Sequence, residues 1–147
     1  MENIIDYALK FNKTFNEEQF NEVDSLILSQ LCYLNLDDYS SEIGEGFTIE
    51  KLSQNIKPTL LKTRVPKQNE KLLIALSKNP RFKNISIINY ENIRNRETEQ
   101  QFSATMYKWD DIGFIAFRGT DSTVIGWKED FNAMFKHDIN HSHIVVL

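Results

Sequence analysis

The alternation of apolar and polar positions divides this chain into helical stretches first and strands afterwards. Helical spacing begins at Phe20, where Val23, Leu26, Ile27, Gln30, Leu31 and Leu34 fall on one stripe. Asn21 or the turn before it supplies the cap, and Asp37-Asp38-Tyr39-Ser40-Ser41 ends the helix. Phe11 to Phe20 is polar and aromatic without a clean period, so residues 1–19 read as an irregular arm. Residues 40–47 carry two glycines and read as a loop. Thr48-Ile49-Glu50-Lys51-Leu52 predicts a short capped helix before Pro58. Pro66 opens a further helix, with Leu72, Leu73, Ala75 and Leu76 as its apolar stripe, and Pro80 stops it.

The period then changes. Ile85-Ser86-Ile87-Ile88-Asn89-Tyr90 is rich in β-branched and aromatic residues and predicts a strand. Residues 91–99 are charged and read as a hairpin loop. From Gln101 to Trp109, Phe102, Ala104 and Met106 alternate with Ser103, Thr105 and Tyr107, the pattern of a second strand. Asp110-Asp111 turns into an apolar run, Gly113 to Phe117, that stops at Arg118-Gly119-Thr120-Asp121. Two short connections in succession predict an antiparallel meander ending at Thr120. Helical spacing returns from Ile125 to Phe135, with Trp127, Phe131, Met134 and Phe135 toward the core. Residues 136–147 read as a divergent tail, polar at first and closing on Ile144-Val145-Val146-Leu147. With no repeat or low-complexity linker, residues 1–147 read as one α/β domain.

Composition narrows the classes. The net charge of −4 offers no basic field for a polyanion, so nucleic-acid binding is disfavoured. No apolar run approaches the ~20 residues that span a bilayer, and Met1 to Asp6 lacks the pattern of a secretory signal. Cys32 is the single cysteine, which suits a reducing, cytoplasmic setting, and its apolar neighbours read as a buried small hydrophobe rather than a nucleophile.

The candidate chemistry concentrates in one place. A strand ending in Arg-Gly-Thr-Asp just before a helix points free backbone N–H groups and a helix dipole at one spot, an anion-stabilising arrangement. Gly119 permits the turn, and Thr120 offers an amide and a hydroxyl beside the strand end. Arg118 follows an apolar run and needs a carboxylate if buried; Asp121 and Asp130 are the candidates, with Trp127 between them. A salt-bridged corner without chemistry explains the same residues equally well. No glycine pair frames a serine as a nucleophile elbow would. His137, His141 and His143 have metal-ligand spacing, but no Cys or carboxylate completes a site, so they read as a solvated tail and no metal or cofactor is expected. Gly44-Glu45-Gly46 is too short and acidic for a phosphate loop, and the Asp37-Asp38 and Asp110-Asp111 pairs read as turn residues.

Phe114-Ile115-Ala116-Phe117-Arg118-Gly119-Thr120-Asp121, with Gly126-Trp127-Lys128-Glu129-Asp130-Phe131, resembles the block before the nucleophile in bacterial lipase-like α/β hydrolases, close to the class 3 lipases. The resemblance extends from Phe20 to Phe135 and implies the N-terminal portion of an α/β-hydrolase fold, with helices and a short, mainly antiparallel sheet. It makes Thr120 an oxyanion-hole donor, pairs Arg118 with Asp130 in support, and packs Trp127 behind a lid-like segment, Asp121 to Ile125. The family's nucleophilic serine, aspartate and histidine would follow this block, where the chain ends. The implied function is a truncated lipase or esterase, inactive alone, that takes an ester or lipid only when a second polypeptide completes it. The alternative is a small interaction or regulatory module, docking or self-associating through an open sheet edge beside residues 114–120.

Overall fold

The computed structural model describes residues 3–95, 97, 100–119 and 143–146. Among these residues the helices come first: α1 (Ile4–Lys10), α2 (Glu22–Leu31), α3 (Ile49–Gln54) and α4 (Pro66–Lys78). Four strands follow: β1 (Ser86–Asn95), β2 (Gln100–Trp109), β3 (Ile112–Gly119) and β4 (His143–Val146). The sheet runs in the order β1-β2-β3-β4; the first three strands are an antiparallel meander and β4 lies parallel to β3. Helices with a small, mainly antiparallel sheet are therefore what the chain forms.

The helices cover one face of the sheet. Ile27, Leu28 and Leu31 of α2, Ile49 and Leu52 of α3, and Leu72, Leu73 and Leu76 of α4 share a buried core with Ile87, Tyr107, Trp109, Phe114 and Ala116 from the strands. Because side chains alternate along a strand, the intervening residues form a second buried cluster, Phe102, Ala104, Met106 and Ile115, on the opposite face. The apolar run of β3 is thus explained by its place between β2 and β4, with residues on both faces buried. Asp110 makes the tight β2–β3 turn in the left-handed region, at φ 48, which Asp tolerates better than most residues.

Local chemistry sets several boundaries as expected. Asn21 caps α2 through its side chain, which accepts from the Val23 and Asp24 amides, while Asp24 accepts from the Asn21 amide in return. Thr48 caps α3, and Pro66 occupies the first turn of α4.

Four expectations need correction. The arm of residues 1–19 begins with a helix, α1, fixed by a capping box between Asn3 and Asp6; at seven residues it is too short to show a period. The buried face of α2 is rotated from the stripe read in the sequence: Asp24, Ser25, Ile27, Leu28 and Leu31 face inward, while Leu26 is exposed. The hairpin loop of residues 91–99 is mostly strand, since Asn92 and Ile93 pair with Ser103 and Phe102. Finally, the edge of β3 is covered in part: the tail supplies β4, which pairs with Ile112 to Ile115, so the docking edge expected beside residues 114–120 is occupied at Phe114 and Ile115. The helix expected over residues 125–135 lies outside the described residues.

Candidate functional site

Of the residues singled out by sequence, Arg118 and Gly119 close β3, whereas Thr120, Asp121, Trp127, Asp130, His137 and His141 lie outside the described residues. His143 begins β4. Sheet register shows what surrounds Arg118. Asn92, Ser103 and Arg118 form one cross-strand row, and Tyr90, Thr105 and Ala116 form the next. The end of α2 and the 3₁₀ turn Asp37–Tyr39 lie over these rows. Arg118 Nη1 donates to the Tyr33 carbonyl at 3.2 Å, and its guanidinium sits 5.4 Å from the Tyr33 ring. Among the described residues its partners are thus a carbonyl and an aromatic face, not a carboxylate.

Asp37 reaches across to the sheet rather than serving only its own turn. Its carboxylate accepts from the Tyr90 hydroxyl at 3.2 Å and from Asn92 Nδ2 at 3.0 Å. Burial and the Asp37 charge push the Tyr90 phenol up to about 12. Cys32 is buried as expected; its Sγ donates to the Ala116 carbonyl at 3.4 Å, and burial raises the thiol above its usual range. A thiol so held stays protonated and is no nucleophile. Among the described residues three buried oxygens in this corner, Asn92 Oδ1, Ser103 Oγ and Thr105 Oγ1, have no hydrogen-bond partner. The corner holds polar groups in fixed places and, among the described residues, shows no nucleophile–base pair. Among the described residues no group of three or more His, Cys, Asp or Glu side chains is arranged to hold a metal ion.

The strongest polar feature was not visible in the sequence. Arg81 and Asp24, both fully buried, form a two-pronged ion pair in which Nε donates to Oδ1 at 3.0 Å and Nη2 to Oδ2. The Asp24 carboxylate also accepts from the Tyr7 hydroxyl and the Asn21 amide. The remaining guanidinium protons go to the carbonyls of Lys13, Thr14, Glu18 and Gln19, and Phe15 and Phe11 lie 4.3 and 5.1 Å from the guanidinium carbon. Burial opposes the Arg81 charge, but the Asp24 carboxylate outweighs it and raises the guanidinium above its ordinary value. This cluster is saturated and offers no vacancy to a ligand. Its effect is to hold residues 11–20 so that Phe15 stacks on Trp109 and Phe20 packs against the same ring at a tilt.

A different surface does offer space. Between α1 and α4 runs an apolar groove of about 510 Å³. Ile5, Ala8 and Leu9 form one wall, and Lys71, Ile74, Ala75 and Lys78 form the other. Leu9 is 67% exposed and Ile74 38%, so both walls present apolar side chains to solvent. Asn79 closes one end and ties the walls together, donating through Nδ2 to the Ala8 and Phe11 carbonyls at 2.8 Å each.

A family model described as Mbeg1-like matches residues 76–146, just under half of the chain, beginning at the end of α4 and running through the sheet. No curated protein and no solved structure matches the chain. The match overturns the lipase-like resemblance, because the family recovered by the strand block is Mbeg1-like and not a lipase or α/β-hydrolase family. The hydrolase assignment falls with it. Phe-Arg-Gly-Thr at a strand end is a local solution to ending a buried strand, so a short block of that kind does not single out one enzyme class. The oxyanion-hole role of Thr120 and the lid-backing role of Trp127 rested on that resemblance.

Proposed function

We propose that this chain acts as a small interaction module whose docking surface is the α1/α4 groove. The observation that carries the proposal is the pair of opposed apolar side chains, Leu9 and Ile74, left in solvent on a frame that Asn79 holds in place. Leaving them exposed forgoes about 25 cal/mol for each Å² of apolar surface that a partner would cover. Exposed apolar patches rimmed by polar residues are a feature of protein interaction sites. No helix among the described residues is long and apolar enough to cross a membrane.

The test uses the full chain in its own cells, with Leu9 replaced by a photo-crosslinking residue. The expected result is a discrete adduct that disappears when Ile74→Asp is added and that is not formed when the crosslinker replaces Glu22, which is exposed on α2. Equal crosslinking from both positions, or none from residue 9, would remove this surface from consideration. A cooperative thermal transition of the isolated chain is also required; a broad, molten transition contradicts a free-standing module.

A further inference from the structure

We infer that the partner received by this groove is an acidic amphipathic helix of about two turns. The inference rests on the interaction-module reading and adds the chemistry of the partner. On α4 the exposed positions Lys67, Lys71, Ile74 and Lys78 follow one another at four-, three- and four-residue steps, so they form a single stripe along the helix. Three cations therefore flank one apolar residue on a chain whose net charge is −4. Among the described residues none of these lysines has an ion-pair partner. Like charges four residues apart on a helix repel each other, and an acidic partner relieves that repulsion.

The groove also selects the partner's backbone conformation. Its walls are helices whose amides and carbonyls bond internally, and Asn79 takes the free carbonyls of Ala8 and Phe11 at its end. An extended peptide would find no ladder of backbone groups to pair with, whereas a helix satisfies its own. Lys71 to Lys78 rises about 10 Å along α4, which matches two turns of a partner. Apolar anchors three or four residues apart would meet Leu9 and Ile74, and flanking glutamates or aspartates would meet Lys71 and Lys78. Anionic lipid shares the charge complementarity, but a flat bilayer does not fill a concave groove between two walls.

The experiment titrates the full chain against a panel of fluorescein-labelled peptides of about fourteen residues, long enough to hold a helix in water, with leucine anchors and flanking glutamates on the two turns that meet the groove, read by anisotropy. Saturable binding is expected, weakened about tenfold or more by Leu9→Asp or by joint Lys71→Glu and Lys78→Glu changes, and falling as salt rises. These positions are on the surface, and unchanged circular dichroism of each variant confirms that folding is retained. The inference is overturned if no acidic peptide binds, if peptides with lysine in place of glutamate bind equally well, or if phosphatidylserine vesicles bind the chain with the same dependence on Lys71 and Lys78. If the peptides fail while the crosslink from residue 9 persists, the module stands and only the partner's chemistry is wrong. Loss of both removes the groove itself.

Discussion

Arg81 and Arg118 are both placed beside the core, yet their surroundings differ in nearly every respect. Arg81 is fully buried and meets a carboxylate with two prongs, four carbonyls and two aromatic faces. Arg118 is half-buried at the end of β3 and, among the described residues, meets one carbonyl and one ring. The difference teaches what complete burial demands. A guanidinium taken out of water needs a counter-ion and a partner for each N–H, whereas one left at the edge of the sheet can direct its remaining protons to solvent. The same contrast extends to the neighbours: the acceptors around Arg81 are used, while among the described residues the Arg118 corner leaves three buried oxygens unpaired.

The contrast can be broken most forcefully at Arg81. Arg81→Met should destabilise the chain by about 3–5 kcal/mol, because it strands the Asp24 charge in the core. Adding Asp24→Leu should recover much of that loss in urea unfolding, a cycle that separates the pair's own worth from the cost of an orphaned charge. If Arg81→Met melts like the parent, the ion pair does not organise residues 11–20. In the other corner the sign reverses. Thr105→Val replaces an unpartnered buried hydroxyl with a methyl group of similar size and should raise stability by about 1 kcal/mol. A loss of stability would show instead that this hydroxyl is partnered.

Tyr90→Phe sharpens the comparison through pH. At neutral pH the variant should lose about 1 kcal/mol with the hydrogen bond to Asp37. The Tyr90 phenol is raised to about 12 in the folded chain, against an ordinary value of 10.0. Below pH 10 both states keep the proton and the contribution is complete. Between about 10 and 12 the unfolded chain releases it while the folded chain retains it, so parent stability falls as pH rises. The gap between parent and variant should therefore narrow across that window in unfolding measured at stepped pH. A constant gap would contradict the shift. The smallest effect belongs to Arg118→Ala, expected to cost about 0.5–1 kcal/mol, the worth of an exposed cation–π contact. A loss comparable to that at Arg81 would mean that Arg118 has a stronger partner outside the described residues.

The elements that were legible in the sequence are those whose signals are local. α3 and α4 announce themselves through Thr48, Pro66 and the Leu72-to-Leu76 stripe, and the alternation from Phe102 to Tyr107 fixes both the strand and its two faces. Features made by distant residues were not. Asp24 sits in the first turn of α2, where an acid is favourable for the helix dipole alone, so nothing local marks it as buried. Arg81 follows Pro80 between elements, and its partner is 57 residues away. The same holds for β4, since four apolar residues at the end of a polar stretch do not specify a neighbour, still less a parallel one. The carboxylates that spacing offers Arg118, Asp121 and Asp130, lie outside the described residues, whereas the Tyr33 carbonyl and ring that it does meet come from 85 positions earlier and leave no local signal. The α1/α4 groove was missed because α1 is too short to show a period and Leu9 looks like an ordinary apolar residue within it.

Arg81 binds residues 13, 14, 18 and 19 through their carbonyl oxygens, which every amino acid carries. Their identities are therefore nearly free, provided that the spacing along the chain is kept. In a saturation scan these positions should accept most substitutions, while deleting a single residue from the segment should be as harmful as losing Arg81. Divergence in this part of the chain would then show as changes of letter and not of length, an evolutionary signature imposed by one guanidinium.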